Sequence, residues 1–115
     1  MIKVAIVEDD KIIGNAVIQF LTAQPHISVI GHHTSLEHLH AAFKNYMEKP
    51  DVVILDIVLP GASGISGIKS IKEHWPETDI IMFSVMDDGD SIFQSLCEGA
   101  IGYITKDLSM PEVLS

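Results

Sequence analysis

The stretch DVVILDIVLPG, residues 51–61, runs through Val52, Val53, Ile54 and Leu55 and then sets Asp56 where another hydrophobe is due. An unalternated run of Val, Ile and Leu marks a strand covered on both faces, as in a parallel sheet. Burying an ionised carboxylate without a partner costs roughly several kcal/mol, even after relaxation. Asp56 therefore needs company at the end of its strand.

Working outward, the same design recurs five times. Strands are expected at Ile2–Val7, Ile27–Ile30, Val52–Leu55, Ile80–Phe83 and Ile101–Ile104. Between them apolar residues return at helical spacing: Ile13, Val17, Phe20 and Leu21; Leu36, Leu39, Phe43 and Met47; Ile65, Ile68, Ile71 and Trp75; Ile92, Phe93, Leu96 and Cys97. Thr34 with Glu37 fits a capping box, and Asp87, Asp88 and Asp90 crowd the start of the fourth helix. Pro25, Pro50 and Pro76 follow helices, and Gly99 ends the fourth. Ser109, Pro111 and Glu112 open a fifth helix that only Val113, Leu114 and Ser115 continue. The expectation is one domain over residues 1–115 with its last helix begun and not finished, either because the natural protein continues or because the chain has been trimmed.

Strands separated by helices imply an α/β fold with helices on both faces of a parallel sheet. Right-handed crossovers put all strand C-termini along one edge, and ligands bind there, where strand order reverses. The composition fits such a fold: 115 residues, 47% hydrophobic, with no apolar stretch long enough for a membrane span or signal peptide. No membrane role is expected, and the cytoplasm is the expected compartment. A net charge of −9 repels a phosphate backbone and favours a divalent cation or a basic partner. Cys97, the sole cysteine, reads as a small core residue. His32, His33, His38 and His40 lie close in sequence, but without a cysteine or an HExxH spacing they read as surface residues rather than a zinc site.

The residues just past each strand are polar. Glu8, Asp9 and Asp10 follow the first, Asp56 the third, Ser84 the fourth, and Thr105 and Lys106 the fifth. If strand order reverses between the first and third strands, as in the flavodoxin-like topology, several carboxylates converge. Two like charges 4 Å apart repel by about 4 kcal/mol at an effective dielectric of 20. Such a cluster raises a pKa or holds a cation, and hard oxygen ligands suit Mg²⁺. Lys106 can orient a phosphoryl oxygen, Ser84 offers a hydroxyl, and Asp56 is a natural nucleophile. Singly, each has a plain reading: Asp10 as a helix cap, Ser84 as a turn residue, Lys106 as a solvated charge. The joint spacing is far more specific than any one of them.

These segments, VAIVEDD near the start, D56-IVLPG-AS-G64, Ser84 after IIMF, and G102-Y-I-T-K106, resemble the receiver domain of two-component response regulators. The variant GYITKD, with Asp107 where proline is common, is similar to receivers attached to LuxR-type helix-turn-helix output domains. The resemblance implies a flavodoxin-like, doubly wound, five-stranded parallel sheet of order 2-1-3-4-5. It implies a phosphoacceptor domain rather than an enzyme, one that takes a phosphoryl group from a sensor histidine kinase or phosphotransfer protein. By position, Asp56 is the phosphorylated aspartate. Asp9 would bind Mg²⁺, with Glu8 assisting and the Val58 carbonyl as a further ligand. Lys106 would contact a phosphoryl oxygen, while Ser84 and Tyr103 would form the switch. Partners implied are the kinase, a second copy through the face of the fourth helix, fifth strand and fifth helix, and DNA only through an output domain. Val85 stands where a smaller residue is usual, and Val58 and Met86 are apolar where some members carry polar groups that assist water. A long-lived phosphorylated form is expected from these.

Three rivals share parts of this pattern. A haloacid-dehalogenase-type phosphatase wants a second acid two residues after the nucleophile, where Val58 stands. A flavodoxin-type cofactor binder needs a phosphate loop after the first strand, where Glu8, Asp9 and Asp10 would repel phosphate. A pseudo-receiver that only mediates protein contacts would not require the full set of site residues found here.

Overall fold

The computed structural model describes residues 1–56, 58–59, 62–84 and 89–105. In chain order the elements are β1 (Ile2–Val7), α1 (Lys11–Thr22), β2 (Ile27–His33), α2 (Leu36–Ala42), a 3₁₀ turn (Phe43–Asn45), β3 (Val52–Leu55), β4 (Val58–Leu59), β5 (Ala62–Ser63), α3 (Gly64–His74), β6 (Asp79–Ser84), α4 (Gly89–Glu98) and β7 (Gly102–Thr105). The main sheet has order β2-β1-β3-β6-β7, all parallel; counted among its own five strands this is 2-1-3-4-5, as expected.

Alternation along the buried strands feeds two cores, one on each face. Ala5, Val7, Val53, Leu55, Ile80 and Met82 join Leu36 and Leu39 of α2 and Ile65, Ile68, Ile71 and Trp75 around α3. Val4, Ile6 and Phe83 face the other way and meet Val17 and Leu21 of α1. Neighbouring residues of one strand thus bury themselves in opposite layers, which is why the runs show no polar alternation.

Several local expectations need correction. The second helix starts one residue late: Ser35 is its cap, its hydroxyl accepting from the His38 N–H at 3.0 Å, so Thr34 is not. That helix stops at Ala42, and Met47, expected on its apolar face, is 99% exposed. Strand β2 runs on to His33, with a register irregularity that skips Ile30: Val4 pairs with Val29 and Ala5 with Gly31. Val58–Leu59 and Ala62–Ser63 form an unexpected antiparallel pair.

The fourth helix departs most. Phe93 is 69% exposed, Leu96 and Cys97 are also exposed, and Ser95 is fully buried. Cys97 is therefore not a core residue. The cause is position: α4 lies beside α3 and β7 at the sheet margin, so only a narrow stripe of it is covered. Gly99 ends this helix at φ +122°, a conformation that favours glycine. The expected fifth helix, with Ser109, Pro111 and Glu112, and Asp87 and Asp88 before the fourth, lie outside the described residues.

Candidate functional site

Register builds the site. In the β1–β3 ladder Val7 is paired with Leu55, so the next residues, Glu8 and Asp56, leave adjacent strands side by side. The Asp56 N–H still donates to the Val7 carbonyl at 3.1 Å, and the Glu8 N–H to the His33 carbonyl at 2.9 Å. Both acids are therefore held by backbone before their side chains do anything. Strand order reverses between these two strands, because β2 lies on one side of β1 and β3 on the other.

Glu8 and Asp56 are buried, at 3% and 4% exposure, while Asp9 is exposed. One carboxylate oxygen from each of Glu8, Asp9 and Asp56 lies within 4.8 Å of the others. Ligands of an octahedral ion with bonds of about 2.1 Å stand roughly 3 to 4.2 Å apart, so a small adjustment would let these acids supply part of such a shell, with waters and other oxygens supplying the rest. Two buried acids sharing a mouth with a third fit a hard divalent cation. The arrangement can bind such an ion and present the Asp56 carboxylate to an electrophile beside it.

Asp10, next in the chain, stays apart. Its Oδ1 accepts from the Ile12 and Ile13 N–H groups at 2.9 and 3.2 Å, capping α1. That was the plain reading of Asp10, and it accounts for the residue.

The remaining expected site residues are placed in part. Val58 sits in β4, two residues beyond Asp56; its backbone is described and its side chain is not. Ser84 closes β6 opposite Thr105, again described for backbone only. Tyr103 lies on the edge strand β7 in register with Met82, half buried against the α2–α3 core. Lys106, together with Val85, Met86 and Asp107, lies outside the described residues.

The surface reading of the histidines fails at His33, which is 5% exposed. Its Nδ1 lies 2.8 Å from His38 Nδ1, and its Nε2 lies 2.5 Å from the Tyr46 hydroxyl. Tyr46 packs over Gly31, where any Cβ would collide with the Tyr46 hydroxyl. A strand running past Ile30 through a lone glycine was the available signal for this packing.

Burial first, then the neighbouring His38 and His32, lowers the His33 pKa from 6.5 to about 4. The unfolded chain thus binds the proton more readily, so this stabilisation is complete above pH 6.5 and lost as pH falls towards 4. At pH 5 the loss amounts to about 2 kcal/mol for this group. Denaturant midpoints measured from pH 7.5 to 4.5 should fall more steeply for wild type than for His33→Gln; equal slopes would refute the assignment.

An acid-lined opening at the switch point of a doubly wound sheet, with an aspartate just past the central strand, is the arrangement expected of a receiver domain. The comparisons name that family. The family model for the response regulator receiver domain matches residues 4–115, and the chain belongs to that family. Such domains are phosphorylation-activated modules of two-component signalling.

Among curated proteins, the chain is 33% identical over 106 residues to the oxygen regulatory protein NreC of Staphylococcus epidermidis, covering 91% of this chain and 48% of that protein. It is 31% identical over 113 residues to the transcriptional regulatory protein YxjL of Bacillus subtilis, covering 98% and 50%. The chain thus spans about half the length of the curated relatives it matches. Among solved structures, a chain of the CheX-CheY-BeF3-Mg+2 complex from Borrelia burgdorferi superposes with a TM-score of 0.88 at 28% identity, over 97% of this chain and 83% of that one. No helix among the described residues is long and apolar enough to cross a membrane.

Proposed function

We propose that Asp56 accepts a phosphoryl group from the phosphohistidine of a sensor kinase or phosphotransfer protein, and that the phosphorylated domain controls transcription through a LuxR-type output domain in the cytoplasm. The convergence of Glu8, Asp9 and Asp56 at the sheet's switch point carries this reading. In the transfer an Asp56 carboxylate oxygen bonds to phosphorus as the P–N bond breaks. The donor imidazole nitrogen keeps that bonding pair.

Asp9, Glu8 and the Val58 carbonyl are the proposed Mg²⁺ ligands beside Asp56. Bound there, Mg²⁺ would offset charge between the acids and the incoming phosphoryl oxygens. Lys106 is assigned to a phosphoryl oxygen, which positions the group in line with the attacking carboxylate. The domain thereby assists its own phosphorylation and dephosphorylation without turning over a separate substrate.

Phosphorylation replaces one carboxylate charge with a group of about −1.5 to −2. The Ser84 hydroxyl is drawn to the new oxygens, and Tyr103, half buried on β7, moves inward behind it. That motion would alter the face around α4 and β7, where Phe93, Leu96 and Ile101 are exposed. A homodimer through that face is the proposed response.

Intact-mass analysis after incubation with acetyl phosphate tests the reading. One phosphoryl group per chain should be gained with Mg²⁺ present and none when EDTA is present from the start; no gain with Mg²⁺, or equal gain in both conditions, refutes it. Once formed, the phosphate should persist. A Val58→Asn, Met86→Glu double variant should lose it several-fold faster than wild type, and equal decay would contradict the role given to those apolar residues.

A further inference from the structure

His33 and His38 form a cluster that the phosphoryl site leaves unused. His33 ends β2 and is buried, whereas His38 stands exposed in the first turns of α2. Their Nδ1 atoms are 2.8 Å apart, with the rings tilted at 48°. Two neutral imidazoles hold that distance by sharing one hydrogen, so the pair presents two nitrogens and a single proton between them.

We propose that His33 Nδ1 and His38 Nδ1 form a two-imidazole chelate for a divalent transition ion of tetragonal preference, Cu²⁺ or Ni²⁺. Spacing supports this choice. Neighbouring ligands at right angles with bonds of about 2.0 Å lie about 2.8 Å apart, whereas tetrahedral ligands lie about 3.3 Å apart. The two nitrogens, held 2.8 Å apart by their hydrogen bond, would keep about that separation around a tetragonal ion and would have to spread for a tetrahedral one. Turning the exposed His38 ring brings its lone pair off the His33 nitrogen and onto a shared point.

His33 also carries the outer support that a metal-binding histidine requires. Its Nε2 meets the Tyr46 hydroxyl at 2.5 Å, which fixes the ring and makes Nδ1, now bonded to His38, the nitrogen that would exchange its shared hydrogen for a metal. Tyr46 is itself set against Trp75, with ring centroids 5.0 Å apart in an edge-on contact. Solvent ligands would reach the open positions from the side of the exposed His38. The nitrogen donor set also separates this site chemically from the carboxylates at Glu8, Asp9 and Asp56, which suit a harder ion.

Titration calorimetry with Ni²⁺, in excess Mg²⁺, tests the chelate on the full chain. Wild type and His26→Gln should each bind one Ni²⁺ with the same affinity, because His26 is exposed away from the pair. His38→Gln, an exposed change that spares the fold, should weaken binding at least about tenfold. Paramagnetic resonance with Cu²⁺ should show two nitrogen ligands in wild type and one fewer in His38→Gln. The proposal is overturned by no Ni²⁺ binding in wild type, by equal affinity in wild type and His38→Gln, or by a loss that follows His26 instead.

Discussion

Asp56→Ala is expected to abolish phosphorylation by acetyl phosphate entirely while leaving the fold intact. Asp56 is a buried acid beyond the last ladder residue of β3, held through its own N–H to the Val7 carbonyl. Alanine keeps that backbone bond and removes only the carboxylate. Among the described acids nearby, Asp10 is committed to the α1 cap, and Glu8 and Asp9 are assigned to the metal ion rather than to phosphorus. Asp9→Ala should keep the acceptor but slow the reaction by about 10² or more, since a charge-stabilising group is lost. Phosphate incorporation followed by intact mass separates the two variants. A wild-type gain in Asp56→Ala would remove the residue from the reaction.

Ile68→Ala should be the most damaging single change to stability, lowering it by about 3–4 kcal/mol and the melting midpoint by more than about 10 °C. Ile68 is wholly buried in the α2–α3 core with Leu55, Ile71 and Met82. It also lies beneath Gly99, where a Cβ would sit 3.7 Å from its Cγ2. That shell belongs to separate elements, and they cannot all close on the cavity. Phe93→Ala, which removes a larger but exposed side chain, should cost less than about 0.5 kcal/mol. Thermal unfolding of both variants decides the matter, and similar losses would place the core wrongly.

The five strands and the acids at their ends were legible because they depend on repeated signals, whereas the strand order came with the resemblance to receiver domains. Apolar runs ending in acids fix strand ends to within a residue or two, and the right-handed crossover rule orients them. Val52–Leu55 was found with its observed bounds, and Asp10 as a cap. The failures share a physical cause. Spacing shows which residues of a helix share a face, but not what covers that face, so Phe93, Leu96 and Cys97 read as core although α4 lies at the sheet margin.

The His33 arrangement was illegible for a related reason. His33 and His38 belong to different elements, and their rings meet because β2 runs on to His33 and α2 starts at Ser35. One cue was passed over. Pro60–Gly61 is a strong turn dipeptide, and the strands Val58–Leu59 and Ala62–Ser63 on either side of it pair antiparallel.

Reductive mapping tests the central assignment most directly. Borohydride converts an aspartyl phosphate to homoserine, and peptide sequencing by mass spectrometry then locates the changed position. After phosphorylation and reduction, the account predicts homoserine at position 56 and nowhere else. Homoserine at position 9 or 10, a reduced glutamate at position 8, or no conversion in a chain that has gained phosphate would contradict it.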